Sequence, residues 1–172
     1  MEFTDIFVRF DAGAERMRAL GFSNSASPRI FDVERAEQLR GVQGEGLLLV
    51  SSTNVELLRQ ALKGRRAPLL LMKSFQSDVG LLRDAKEHGR AFVFPVSMLL
   101  ERNGIERGKL MVRMSYFLGL CVRLGVPYIL ASGARNAYEL KSPEEMAAVG
   151  QALGLSRDQA LWAISEAPKP FI

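Results

Sequence analysis

At 172 residues, of which 48% are hydrophobic and 24% charged, the chain is predicted to fold as one domain, residues 1–172, and its composition excludes a disordered or low-complexity protein. The formal net charge is +4, but residues 59–113 carry 12 Lys and Arg against 5 Asp and Glu, whereas residues 1–58 carry 6 against 9. A basic middle third suits a polyanionic partner such as a nucleic acid, although a solvated surface accounts for the same charge.

Short apolar, β-prone runs alternate with amphipathic helical patterns, which predicts βα units around a mostly parallel sheet. The predicted strands are Phe3–Val8, a weak one within Phe22–Val33, Leu47–Ser51, Pro68–Met72, Ala91–Val96 and Tyr128–Ala131. Several are apolar on both faces, as expected of parallel strands covered by helices outside and closed on a barrel core inside. Since these strands are fewer than the eight of a regular barrel, the predicted fold class is α/β, a small irregular TIM-like barrel.

Capping residues mark the ends of the predicted helices, which are 54–63, 78–88, 109–124, 143–153 and 157–164. Three pairs fit the capping box: Thr53 with Glu56, Ser142 with Glu145, and Ser156 with Gln159. Three glycines stand where left-handed C-terminal caps belong: Gly64, Gly89 and Gly154. The longest helix has an apolar face, which we assign to the core.

Several function classes are excluded by what the chain lacks. No apolar run approaches the ~18 residues of a membrane span, and charged residues interrupt any signal-peptide pattern near the start, so we expect a cytoplasmic protein without a membrane partner. Cys121 is the only cysteine, which rules out an internal disulfide and suits a reducing compartment. His88 is the only histidine, which rules out a histidine metal cluster.

Residues expected at the carboxyl ends of the strands, where a barrel places its functional groups, are basic or small. We predict that as a group they bind RNA phosphates, although for any one of them alone a solvated charge is slightly favoured over RNA contact. The set is Lys73, Arg102, Arg107, Lys109, Arg113, Ser132 and Arg135. A second basic cluster, Lys63, Arg65 and Arg66, is predicted at the opposite end, where it compensates a helix dipole or binds RNA.

Two further residues, Asp5 and Cys121, are candidate reactive groups. Asp5 lies in the first predicted strand, and a buried pair with Arg or Lys is favoured over a catalytic base. Cys121 lies on the apolar face of the longest helix and is predicted to be a buried, inert thiol. We therefore predict no catalytic and no metal-binding residue.

The closing third carries a resemblance to a known family. Residues 126–143 read VPYILASGARNAYELKSP, and the pattern continues through Leu153-Gly154-Leu155 to Ser165 and Pro168. This resembles ribonuclease P protein component 3, the archaeal counterpart of the eukaryotic thirty-kilodalton subunit. That family has a strand ending in Ser-x-Ala, a basic residue before a proline-started helix, and a Leu-Gly stop. Lys141 stands where the family usually has Arg, and it joins the predicted RNA-binding set.

The resemblance implies a TIM-like barrel related to the polymerase and histidinol phosphatase superfamily, without its metal site. Where that superfamily has His-x-His, the sequence here is Phe7-Val8-Arg9. The implied function is a non-catalytic subunit of the ribonuclease P holoenzyme, which cleaves precursor tRNA to generate its mature 5′ end. The implied partners are ribonuclease P RNA and protein component 2, with Mg²⁺ held by the RNA and no cofactor on this chain.

A stand-alone barrel enzyme acting on a phosphorylated metabolite is the alternative. Lys73 or Arg135 would bind the phosphate. Such an enzyme also needs a general base at a strand end, and the sequence offers none beyond Asp5.

Overall fold

The computed structural model describes residues 1–64 and 67–172. Its strands are short, most of them are buried over their whole length, and each pair among the described residues is parallel. They are β1 Thr4–Asp5, β2 Asn24–Ser25, β3 Arg29–Asp32, β4 Leu48–Ser52, β5 Leu69–Met72, β6 Ala91–Pro95 and β7 Tyr128–Ala131. The order β3-β4-β5-β6-β7 forms one sheet, and β1-β2 forms the other.

Helices connect most of the successive strands, as parallel pairing requires. They are α1 Ala14–Leu20, α2 Val55–Lys63, α3 Val79–Glu87, α4 Ser97–Leu100, α5 Gly104–Leu124, α6 Pro143–Ala152 and α7 Arg157–Ser165. Short 3₁₀ helices lie at Ala36–Gly41, Ala137–Glu139 and Lys169–Phe171. None of the helices in the described part of the chain is both long and apolar enough to cross a bilayer.

The two sheets join into a closed, irregular barrel. Residues 26–28 lead directly from β2 into β3, so that these two strands connect the sheets on one side. On the other side, Gly133 N donates to Phe7 O at 2.9 Å and Arg9 N donates to Ala134 O at 2.8 Å. We call this second junction, between residues 5–9 and 132–134, the seam. The predicted α/β TIM-like barrel is thereby confirmed.

Aromatic side chains pack β6 against the helix layer. Phe92 and Phe94 alternate with Val93 along β6 and therefore share one face of the sheet. Both rings contact Phe117 of α5, with centroids 5.0 and 6.0 Å apart, and Phe75 stacks on Phe94 at 5.5 Å. All four side chains are buried. The apolar stripe of α5 is thus core, as predicted, and buried Cys121 belongs to it.

Most predicted strands are confirmed with small shifts in their bounds. The strands predicted at 68–72, 91–96 and 128–131 are within one residue of β5, β6 and β7. The weak region 22–33 contains two strands, β2 and β3, separated by residues 26–28. The strand predicted at 3–8 is shorter, because regular pairing covers only Thr4–Asp5 before the chain turns to the seam.

Helix ends were predicted with mixed success. The capping boxes at Ser142 and Ser156 are confirmed, but Thr53 is wrong, because Asn54 caps α2 by accepting from Glu56 N at 2.8 Å. Gly89 and Gly154 adopt positive φ angles of 61° and 101° as predicted. Gly64 does not, since its φ is −73°.

Three helical features were not predicted. The helices α1 and α4 were missed entirely, and α5 begins at Gly104, five residues before its predicted start at position 109. Glycines at positions 104 and 108 weaken the helical signal of this first turn. Tertiary hydrogen bonds of Arg107, described below, hold the turn in place.

Candidate functional site

The carboxyl ends of the barrel strands surround an open cleft of about 560 Å³. This is the end at which parallel strands and their following loops place functional groups. Part of its lining is apolar, from Phe7, Ile30, Leu71 and Met98. Three cations lie among the remaining lining residues, namely Arg9, Lys73 and Arg102, together with the carboxylates Asp32 and Glu101. The cleft therefore combines an apolar surface with a cationic rim.

Lys73 is held by a carboxylate within the cleft. It directly follows β5, while Asp32 ends β3, so that parallel pairing through β4 brings the two side chains to the same edge. Lys73 Nζ donates to Asp32 Oδ1 at 2.6 Å and to Oδ2 at 2.8 Å, and Ser51 Oγ donates to Oδ1 at 3.2 Å. A phosphate that binds Lys73 must therefore compete with Asp32, whose side chain is 55% exposed.

Arg135 lies at the same end of the barrel, in the connection from β7 to α6. Its Nη2 lies 2.8 Å from Oε1 of Glu101 and 3.5 Å from Oε1 of Glu139. The backbone N–H of Arg135 donates to Glu139 Oε2, and this bond is the first cause of the lowered pKa of Glu139. Arg135 remains 45% exposed, so part of its guanidinium still faces solvent.

Arg102 and Arg107 are used mainly to hold the end of α4. Arg107 Nε donates to the carbonyl oxygens of Leu99 at 2.9 Å and Arg102 at 2.7 Å, and Arg102 Nη1 donates to Met98 O at 2.9 Å. The last carbonyl groups of a helix lack their usual partners one turn further along the chain, and these side chains supply donors there. Both residues are half-buried, and Arg102, which lines the cleft, contributes positive charge to the rim.

The other two cations of the predicted set in this region lie on the exposed side of α5. Lys109 pairs with Glu106 at 2.8 Å, and this hydrogen bond is the main cause of the lowered pKa of Glu106. Arg113 is exposed one turn further along the helix and also lowers the pKa of Glu106. Neither residue lines the cleft. The predicted set thus divides into a group at the barrel mouth and a group on α5.

Ser132 is not a surface residue. Its side chain is fully buried, and its hydroxyl accepts from Ala134 N at 3.1 Å. The side chain cannot meet a large RNA at the surface, and we remove it from the proposed contacts. Lys141 is half-buried and stands just before the Ser142 cap of α6.

Asp5 is fully buried at the seam. Its Oδ1 accepts from Ser132 N at 3.1 Å and from Phe7 N at 3.3 Å, whereas Oδ2 has no hydrogen-bond partner within the described residues. Burial raises the pKa of Asp5. Interactions with the Ser132 side chain and with the backbone of Ser132 and Phe7 lower this pKa and so offset part of the shift. The expected Arg or Lys partner is wrong: the acceptor serves backbone N–H groups instead.

Arg9, Asp32 and Glu101 complete the mouth and were not predicted. Arg9 directly follows the strand predicted at 3–8, and that position was a usable signal, because it places the residue at the carboxyl end. Asp32 stands at the carboxyl end of β3, but its pairing with Lys73, like that of Glu101 with Arg135, joins residues distant in sequence and has no local signal. Of the second basic cluster, Lys63 is exposed at the end of α2, whereas Arg65 and Arg66 lie outside the described residues.

Metal ligands are not brought together in the described part of the chain, where no group of three His, Cys, Asp or Glu side chains could hold an ion. His88 lies at the C-terminus of α3, with Nδ1 2.8 Å from Asp84 O. Burial raises the pKa of the Cys121 thiol, which disfavours the thiolate form that would act as a ligand or nucleophile.

Comparison with curated proteins finds relatives that share one description. Ribonuclease P protein component 3 of Methanosarcina mazei is 30% identical over 148 residues, which cover 81% of this chain and 62% of the relative. The same protein of Methanosarcina acetivorans is 32% identical over 130 residues, or 73% of this chain and 54% of the relative. The chain thus spans about three fifths of the length of the first of these curated relatives.

A solved structure shares the fold. A chain of the cryo-EM structure of archaeal Ribonuclease P with mature tRNA superposes with a TM-score of 0.73 at 19% identity, covering 98% of this chain and 78% of that chain. The family model described as RNase P subunit p30 matches residues 31–172. Because this match covers most of the chain, the protein belongs to the RNase P subunit p30 family.

Proposed function

We propose that this chain is a protein subunit of ribonuclease P, the ribonucleoprotein that cleaves precursor tRNA to generate mature 5′ ends. The observation that carries the proposal is the family match over residues 31–172. In this role the chain forms one domain, acts in the cytoplasm, and binds RNA and a neighbouring protein subunit. It contributes no reacting group of its own.

The cationic barrel mouth supports RNA binding by charge. Arg9, Lys73, Arg102 and Arg135 bring positive charge to one end of a rigid fold, and phosphates attract such groups without regard to base sequence. Asp32 and Glu101 offset part of this charge in the free protein. On binding, RNA phosphates displace these carboxylates from their cations or share the cations with them, and the net gain in free energy comes from released counterions.

The carboxylates of the mouth are committed to structural pairs, and this supports a non-catalytic role. Asp32 accepts from Lys73 and Ser51, and Glu101 pairs with Arg135. We place the Mg²⁺ needed for phosphodiester cleavage on the RNA subunit and assign no cofactor to this chain. The alternative of a metabolite enzyme loses its proposed general base, because Asp5 is fully buried and does not line the cleft.

The exposed face of α5 supports docking of a second protein subunit. Ile105, Val112 and Tyr116 recur at helical spacing and are 76%, 71% and 61% exposed. Gly108 and Gly119 lie along the same helix with open space around them, which allows a partner to approach closely. We propose that protein component 2, the partner implied by the family resemblance, covers this stripe, which we call the α5 stripe.

Reconstitution tests the function. Ribonuclease P RNA and the other protein subunits are assembled with and without this chain, and precursor-tRNA cleavage is followed across Mg²⁺ concentrations. We expect cleavage at lower Mg²⁺ when the chain is present. An unchanged Mg²⁺ requirement and unchanged rate contradict the proposal.

Salt dependence tests the electrostatic mechanism. The logarithm of the affinity for ribonuclease P RNA should fall linearly with the logarithm of salt concentration, by about 0.7 to 0.9 for each phosphate contact. Lys73→Met should reduce this slope by about one contact. Lys169→Met is the matched control, because Lys169 also forms an exposed ion pair, with Glu166, and does not line the cleft. Equal slopes for wild type and both variants contradict a phosphate contact at Lys73.

A further inference from the structure

The 3₁₀ turn after β7 presents an aromatic ring to solvent. Tyr138 is 94% exposed, more than any other large hydrophobic side chain among the described residues. Other aromatic side chains on the surface are more covered: Tyr116 is 61% exposed, and Trp162, which packs against Tyr128 with a centroid distance of 5.3 Å, is 41% exposed. Tyr138 contributes little to the core, so packing does not explain why a large aromatic residue occupies this position.

The backbone that carries this ring is held firmly. Asn136 Oδ1 accepts from Tyr138 N at 3.0 Å and from Glu139 N at 3.3 Å, and Asn136 Nδ2 donates to Glu139 Oε1 at 3.1 Å. Glu139 Oε2 in turn accepts from Arg135 N at 2.9 Å. The ring therefore projects from a turn that is already ordered, which lowers the entropic cost of binding through it.

The turn lies beside the cationic cleft. Arg135 joins it to Glu101, which lines the cleft, through a contact of 2.8 Å. Arg135 and Lys141 flank Tyr138 in sequence at the carboxyl end of β7. An exposed aromatic ring next to cations is the pattern with which proteins bind unpaired nucleic-acid bases, since the ring stacks on the base and the cations bind the phosphates.

We infer that Tyr138 is a stacking platform for an unpaired RNA base, which enters next to the cationic barrel mouth. The inference rests on the proposed function and adds a base contact to its phosphate contacts. A protein contact is less favoured, because Arg135, Asn136 and Glu139 surround Tyr138 in sequence and its one exposed apolar neighbour, Ala137, is small, whereas the apolar α5 stripe lies on another element.

The test uses the reconstituted complex with wild type, Tyr138→Ala, Tyr138→Leu and Tyr138→Phe. Leucine keeps apolar bulk without a stacking ring, and phenylalanine keeps the ring. Loss of base stacking should weaken RNA binding by about 5- to 100-fold in the Ala and Leu variants. The Phe variant should bind within about twofold of wild type. All variants should keep the unfolding midpoint of wild type, because the ring is exposed.

Chemical probing of unpaired bases gives the second measurement, in separate arms for ribonuclease P RNA and for precursor tRNA. A base protected by wild type and the Phe variant, but reactive with the Ala and Leu variants, identifies which RNA supplies it. The slope of affinity against salt should stay unchanged in the Ala variant, since no phosphate contact is lost.

Different results contradict the proposed function and the stacking inference. Wild type that binds neither RNA contradicts the proposed function itself. Wild type that binds RNA, with a Tyr138→Ala variant of equal affinity and equal base protection, overturns the stacking inference alone. A variant that loses a protein subunit while its RNA protection is unchanged also overturns it, in favour of a protein contact.

Discussion

Replacing Asp5 with alanine would remove the acceptor of two buried backbone N–H groups at the seam, those of Phe7 and Ser132. Each unsatisfied buried donor costs about 1 to 3 kcal/mol. Because the two hydrogen bonds are rather long, at 3.3 and 3.1 Å, we take the lower part of that range and expect a total loss of about 2 to 4 kcal/mol. For a chain of this size the loss corresponds to a fall in Tm of about 5 to 15 °C.

Asparagine is the matched substitution at the same position. Its side-chain oxygen can accept from the same two N–H groups, and it carries no charge to bury. We therefore expect Asp5→Asn to unfold within about 1 kcal/mol of wild type, as measured by urea or thermal unfolding followed by circular dichroism. If Asp5→Asn were as unstable as Asp5→Ala, the assigned role of Asp5 as a hydrogen-bond acceptor for the Phe7 and Ser132 backbone would be refuted.

The pH dependence of these variants follows from the raised pKa of Asp5. The ordinary value is 3.8, and burial raises the pKa in the folded chain. Between these two values the folded chain keeps a proton that the unfolded chain releases, so the free energy of unfolding falls as pH rises through this window. The amide of the Asp5→Asn variant does not titrate, and the stability of wild type relative to this variant should therefore decline from about pH 4 upward. A constant difference contradicts burial of the carboxyl group.

Two other predictions concern glycine at the barrel mouth and the α5 stripe. Gly133→Ala should destabilise the fold by about 2 to 4 kcal/mol, because Gly133 has a φ of +64° and an added Cβ would lie 2.5 Å from Ser97 Oγ and 2.7 Å from Pro95 Cβ. Gly108→Ala is the control, because Gly108 has open space around it. This change should stabilise the protein by about 0.5 to 1 kcal/mol in urea unfolding. Equal effects of the two substitutions on the free energy of unfolding would contradict the packing argument. Val112→Asp should weaken binding of protein component 2 by about tenfold or more in calorimetry. RNA binding by the free Val112→Asp subunit should match wild type, and so should binding of protein component 2 by the control variant Gln60→Asp, which changes an exposed residue on another helix. An unchanged affinity of the Val112→Asp variant for protein component 2 would contradict docking on the α5 stripe.

Local chemistry explains which elements could be predicted from the sequence. Continuous apolar runs mark β5, β6 and β7, because parallel strands in a barrel are buried on both faces. Side-chain caps mark α6 and α7, because the donors and acceptors lie within three residues of each other. Contacts between residues far apart in the sequence have no local sequence pattern from which they could be predicted. The start of α5 depends on Arg107 binding carbonyls of the preceding helix end, and it was predicted too late.

The candidate site shows the same division. Lys73 and Arg135 follow predicted strands in the sequence, and this correctly predicted that they lie at the barrel mouth. Position alone could not show that Asp32 would bind Lys73 across 41 residues of chain. It also could not separate exposed Arg135 from buried Ser132, although both follow β7. Burial depends on how the seam closes, and that is set by residues far away in sequence.

The hydrogen bond between Asp5 and Ser132 joins residues 127 positions apart. On the ribosome, the amino-terminal strand must therefore wait until the segment after β7 has emerged before it acquires its neighbour on that side. Contacts of such long sequence separation slow folding and leave strand edges open in the meantime. The nascent chain thus passes through a stage in which Asp5 is hydrated and ionised, and closure of the ring coincides with withdrawal of that carboxylate from water.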